Sequence, residues 1–164
     1  MANTMAQKTK SGRFEGEDYR KGALERLNDA YILLRAGQFS GSASDAGRAV
    51  EGMLRSVIWK RDADVRAGKK SLETGHNLRD LLTHVRNLGL LSSAEPKDDG
   101  LDEQVQRIAQ LWFNNMRFAS SKFVETHWFR LGEVHKGRTM KQATESFCFD
   151  CEEVLKRCEI LCQR

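Results

Sequence analysis

Apolar side chains recur along this chain at steps of three and four residues in one segment after another, and no stretch of useful length alternates with a period of two. That spacing gathers apolar groups on one face of an α-helix and denies a β-sheet its inward face. A single proline in 164 residues leaves long stretches free of a helix breaker. The expected fold class is all-α, an up-and-down antiparallel bundle of about five to six helices.

The first helix is expected over Asp18 to Ala36, with Tyr19, Ala23, Leu27, Ala30, Tyr31 and Leu34 inward and Gly37 as its stop. Ser40 or Ser42 is placed to cap a second helix reaching about Trp59, buried through Ala43, Ala46, Ala49, Val50, Met53, Leu54 and Val57. Gly47 and Gly52 weaken that helix intrinsically, so they predict close contact with another helix. Lys60 to Thr74 reads as irregular. A third helix carries Leu78, Leu81, Leu82, Val85 and Leu88 and ends at Gly89, and Ser92 to Gly100 connects it to a fourth. Leu101, Val105, Ile108, Trp112 and Met116 give the fourth helix one stripe, which drifts enough afterwards to predict a break near Phe118 to Ser121. A further helix runs to about Val134. Thr139 and Gln142 are spaced as a capping box for the last one, whose inward positions are Ala143, Phe147, Cys151, Val154, Cys158 and Leu161. The combined core expectation includes Leu27, Leu34, Val50, Met53, Leu81, Val105, Trp112 and Val154.

The length suits one domain with its own core. Residues 1–17 read as a flexible polar tail and 18–164 as the helical domain. Met1 to Asp18 lacks the apolar middle of a secretory signal, and no apolar run approaches the ~18 residues of a membrane span. The expectation is a cytoplasmic protein with reduced thiols and no membrane partner. Cys148, Cys151, Cys158 and Cys162 share a narrow wedge of one helix but extend over ~21 Å of it, too far for a single zinc ion. They are expected to pack as small apolar groups. No metal ligand, cofactor or catalytic residue is assigned.

A formal net charge of +4 permits an acidic partner. Arg55, Lys60, Arg61, Arg66, Lys69 and Lys70 crowd one stretch against Asp62 and Asp64, but no aromatic interleaves them as a base-stacking platform requires. That stretch therefore reads as a solvated connection. His76 precedes the leucines of the third helix, where an imidazole suits capping. Arg48, Glu51 and Arg55 form a polar edge on the second helix, with Glu51 and Arg55 one turn apart as a surface ion pair. Arginine and histidine also stand five apart at Arg79 and His84 and at Arg130 and His135, about as often as chance supplies among sixteen arginines and four histidines.

In order along the chain, ALERLNDAYILLRAGQF at Ala23 to Phe39, ASDAGRAVEGMLRSVI at Ala43 to Ile58, HNLRDLL at His76 to Leu82 and MRFAS at Met116 to Ser120 resemble the HEPN domains of prokaryotic toxin, defence and nucleotide-linked systems. The resemblance implies a compact bundle of about four or five main helices, a homodimer, and RNA or a nucleotide as ligand. A nucleotidyltransferase or an antitoxin is the implied protein partner. In many such domains an arginine holds the scissile phosphate and a histidine that follows after four to six intervening residues moves protons. Arg117 matches the arginine, and the histidine positions hold Lys122, Phe123 and Val124. Lysine, with an ordinary pKa of ~10.4, is a poor general base at neutral pH. The expectation is a non-catalytic binding or interaction module with Arg117, His76, Arg48, Glu51 and Lys122 as candidate anion- or nucleotide-binding residues. The alternatives are a ribonuclease with an unconventional site and a purely structural oligomerisation scaffold.

Overall fold

The computed structural model describes residues 15–72, 77–91 and 99–163, and within them the chain is an all-α helical bundle. The elements are α1 (Gly16–Arg35), α2 (Phe39–Arg61), α3 (Ala63–Arg66), α4 (Leu78–Asn87), α5 (Asp99–Leu111), a 3-10 helix at Asn114–Phe118, α6 (Ser121–Arg130) and α7 (Met140–Gln163). No helix among the described residues is long and apolar enough to cross a membrane.

α2 is the axis of the fold. Its expected stripe is buried throughout, and Ile58, Ser42, Ser44, Glu51, Arg55 and Ser56 are buried as well, so it is enclosed on nearly every side by α1, α4, α6, α7 and the 3-10 helix. A helix covered that completely gains about 1.5–3 kcal/mol for each large apolar side chain it buries. α1 returns antiparallel to it: Ser42 Oγ donates to the Ala30 carbonyl at 2.8 Å and Ser56 Oγ to the Gly16 carbonyl at 2.7 Å, at opposite ends of the pair. Gly52 permits the approach, because a Cβ there would stand 3.3 Å from both the Ala23 Cβ and the Tyr19 carbonyl oxygen. α7 runs antiparallel to α1, joined by Tyr31 to Glu152 at 2.5 Å and Arg20 to Glu159 at 2.7 Å.

Several expectations need correction. Ser40 and Ser42 lie inside α2, whose N-cap is Gln38; Ser42 is buried and bonds α1 instead. α1 begins at Gly16, two residues before the expected Asp18, with a capping box between Glu15 and Asp18. Leu27 and Leu34 are only partly buried, because α1 seats its two smallest inward residues, Ala23 and Ala30, against α2 and holds larger side chains at the margin. Val50, Met53, Leu81, Val105, Trp112 and Val154 are buried as expected. The irregular stretch after Lys60 contains α3, started by the Asp62 carboxylate accepting from the Asp64 and Val65 amides. The connection Ser92 to Gly100 falls mostly outside the described residues, and α5 begins at Asp99.

The largest departure is the end of α5. The helix stops at Leu111, well before Phe118, and α6 stops at Arg130, before Val134. Tertiary packing overrides the local pattern here: Trp112 lays its indole on Gly47, where a Cβ would lie 2.1 Å from the ring, and donates from Nε1 to the Ser44 carbonyl at 3.0 Å. The carbonyls left open at the end of α5 are then covered by α6, with Trp128 Nε1 donating to the Leu111 carbonyl at 3.1 Å and His127 Nε2 to the Gln110 carbonyl at 3.3 Å. At α7 the capping box forms as read: the Thr139 amide donates to Gln142 Oε1 at 2.9 Å and the Gln142 amide to Thr139 Oγ1 at 3.3 Å. Cys148, Cys151 and Cys158 are buried and Cys162 half-buried, all as free thiols. Burial pushes the Cys148 and Cys151 thiols up from their ordinary value, so they pack as neutral groups.

Candidate nucleic-acid interface

The break after Leu111 turns the chain outward and gives α6 a bare outer face. Val124 and Trp128 anchor the helix, and Trp128 meets Phe147 of α7 with ring centroids 5.3 Å apart. At about 100° per residue, Lys122, Phe123, Thr126, Phe129 and Arg130 then fall within about 120° on the side away from those anchors. All five are exposed. Phe118, at the end of the 3-10 helix, is 76% exposed, Phe129 61% and Phe123 56%.

Cations interleave these rings. The Arg117 guanidinium lies 4.6 Å from the centroid of the Phe118 ring, which steadies both without taking up the charge. Among the described residues Arg117, Lys122 and Arg130 form no ion pair, and the one carboxylate between Arg117 and Arg130 is Glu125. Behind them Phe113 meets Phe123 edge-on at 6.1 Å and His127 edge-on at 5.5 Å. A cleft of about 320 Å³ opens along the helix, lined by Ser120, Lys122, Phe123, Thr126, His127 and Arg130. Ser120 caps α6 by accepting from the Phe123 amide at 3.2 Å.

Of the expected site residues, Lys122 lies on the α6 face and Arg117 is exposed on the 3-10 helix that leads into it, and the rest lie elsewhere. Arg48 is partly buried on α2 and pairs with Asp45 at 3.4 Å, without a bond to Arg117. Burial raises the Asp45 carboxyl against the pull of Arg26 and Arg48. Glu51 is not on a surface edge: it and Arg55 are buried together at 3.0 Å, and Arg55 Nη1 donates to the Leu72 carbonyl at 2.7 Å, fixing the chain beyond α3. The surface ion pair expected there is corrected to an internal tie, imposed by the enclosure of α2. His76 lies outside the described residues.

Sequence reasoning gave no binding role to Phe118, Phe123, Phe129, Arg130 and His127. The available signal was negative: Phe123, Phe129 and Arg130 sit off the stripe that Val124 and Trp128 define, so an α6 packed through those two must expose them. A second polar grouping was also missed. His84 Nε2 stands 2.8 Å from Asp62 Oδ2 beside Lys70, in a cleft of about 420 Å³ also lined by Asp80, Thr83 and Asn87. The hydrogen bond from His84 lowers the Asp62 carboxyl from its ordinary value, with the Val65 and Asp64 amides contributing. This grouping ties α4 to the junction of α2 and α3.

No group of three or more histidine, cysteine, aspartate or glutamate side chains among the described residues is arranged to hold a metal ion. Comparison with protein-family models, curated proteins and solved structures finds no match to the chain.

Proposed function

We propose that the chain is a non-catalytic binding module of HEPN-like build, and that the 3-10 helix and α6 form its binding face for single-stranded RNA. The observation that carries this reading is the display of Phe118, Phe123 and Phe129 near Arg117, Lys122 and Arg130, cations that pair with no carboxylate among the described residues. Aromatic rings on a cationic track bind single strands because unpaired bases stack on the rings while phosphates meet the charges. A duplex offers only its phosphates to such a surface, its bases being already stacked.

Acid–base cleavage finds little support here. Arg117 carries a ring contact rather than an imidazole, and His127 is the one histidine among the residues lining the cleft, so a general acid and a general base do not stand there together. Arg117 is accordingly an anion ligand in this reading.

The test is fluorescence anisotropy with a labelled unstructured oligoribonucleotide and with a hairpin of matched length. The expected result is tighter binding of the unstructured strand, weakened as salt rises from about 50 to 200 mM. Equal affinity for both, or rapid cleavage of the strand, would overturn the reading.

A further inference from the structure

We infer that the cleft along α6 is a phosphate seat in which His127 takes up a proton as the phosphate enters. The inference rests on the RNA-binding reading for its biological ligand, but the seat itself follows from the cleft's own groups. Thr126 lines the cleft one turn from Lys122 and one turn from Arg130, so the two cations flank it along the helix. Its hydroxyl is engaged, donating to the Lys122 carbonyl at 2.8 Å, whereas the Ser120 hydroxyl, which accepts from the Phe123 amide, keeps its O–H for an anion.

His127 lines the same cleft. Its Nε2 faces a backbone carbonyl, an acceptor only, so Nε2 carries the hydrogen and Nδ1 is the atom that gains a second proton. The charged groups that line the cleft with the ring are both cations, so an anion seated among them favours the added proton. From α6 the cleft receives Lys122 and Arg130 and no carboxylate; from the end of α5 the ring meets the Gln110 carbonyl and the uncharged Phe113. Glu125, two residues earlier on α6, points about 200° around the helix from His127. A third positive charge beside two others is stabilised when a phosphate sits among them, and imidazole is the side chain whose charge changes between about pH 5 and 8. The ligand class is a phosphate oxyanion, supplied by a strand's phosphodiesters or by a terminal or free phosphate.

Two measurements test this on the full chain. Titration with inorganic phosphate or pyrophosphate, followed by NMR of the histidine ring protons, is expected to shift His127 and leave His84 and His135 in place. Binding of an unstructured oligoribonucleotide, with and without a 5′-phosphate, is then measured across about pH 5 to 8. Affinity is expected to rise on the order of tenfold toward the acid end in the wild type and to stay flat in His127→Gln. A larger gain for the 5′-phosphorylated strand assigns the seat to a terminal phosphate; equal gains assign it to the backbone. Tight but pH-independent RNA binding would sink the seat and leave the RNA reading standing. Phosphate-dependent shifts at His127 without RNA binding would keep the seat and sink the RNA reading. If neither anion moves the His127 signals, the seat is absent whatever the variants do.

Discussion

Two stretches of this chain are rich in basic residues, and the fold treats them in opposite ways. From Arg55 to Lys70, five of the six cations find partners within the molecule: Arg55 with Glu51, Lys60 with Glu17, Arg66 with the Lys60 carbonyl, Lys69 with Asp64, and Lys70 with Asp62 and Asp64. From Arg117 to Arg130 the cations pair with no carboxylate among the described residues and stand among exposed rings. Density of charge in sequence therefore does not locate a polyanion site. What matters is whether the fold supplies carboxylates to spend the charge on, since a paired cation has already lost much of its field.

The sharpest way to break this comparison is to unpair the inward stretch. Replacing Arg55 with alanine leaves the buried Glu51 carboxylate without its guanidinium and frees the Leu72 carbonyl, so about 3–5 kcal/mol of stability is expected to go. Urea denaturation measures it. A loss under about 1 kcal/mol would show that this pair is solvated after all, and the two stretches would then differ less than their geometry says.

Asp62 probes the same stretch by pH. Its carboxyl is lowered in the fold, so its contribution is complete above the unfolded value of ~3.9 and disappears as pH falls through the lower folded value. Asp62→Asn is expected to cost about 1–3 kcal/mol near neutrality, the range for a buried hydrogen-bonded charge. The gap between variant and wild type is expected to begin narrowing below about pH 4 and to close below the folded value. A gap that persists in strong acid would assign the loss to the α3 cap rather than to the ionised carboxylate.

The helices themselves were legible because burying one face imposes a period of 3.6, and α2, α4 and α7 carry it without interruption. The end of α5 was not. Nothing local forbids a helix through Trp112 and Phe113; the helix stops because Gly47, distant in sequence, leaves a gap that the Trp112 indole fills. The candidate face depends on that same event. Once α5 stops, α6 must anchor itself through Val124 and Trp128, and Lys122, Phe123, Thr126, Phe129 and Arg130 are turned outward together. Arg117 and Lys122 were recognisable as a pair from the resemblance alone, whereas the phenylalanines become meaningful only with the break in place. Glu51 and Arg55 show the converse: their i, i+4 spacing announces an ion pair, but its burial follows from the enclosure of α2, which no local pattern encodes.

On the outward stretch, Phe123→Ala and Phe129→Ala are each expected to weaken binding of an unstructured oligoribonucleotide by about 1–3 kcal/mol. Stability should move by no more than ~0.5 kcal/mol, because both rings already face solvent. Phe118→Ala belongs with them and also releases Arg117 from its ring contact. Unchanged affinity in all three, alongside unchanged stability, would remove the stacking half of the proposal and reduce the face to a charged surface.

The smallest expected effect is also the most direct comparison of the two stretches. Each phosphate neutralised on a single strand contributes about 0.7 to the slope of log affinity against log salt, through release of condensed counterions. Lys122 has no carboxylate to leave, so Lys122→Gln is expected to lower that slope by about 0.7. Lys69 is more exposed than most side chains and only 4.0 Å from Asp64, yet Lys69→Gln is expected to leave the slope as it was. Both changes remove one positive charge from a protein of net +4, so long-range attraction falls equally in the two variants and cancels from the comparison. What remains is contact with phosphate. If the two variants lower the slope by the same amount, the strand is held by the protein's overall charge and α6 has no special claim to it; a loss confined to Lys122→Gln places the phosphates on the face that the break after α5 exposes.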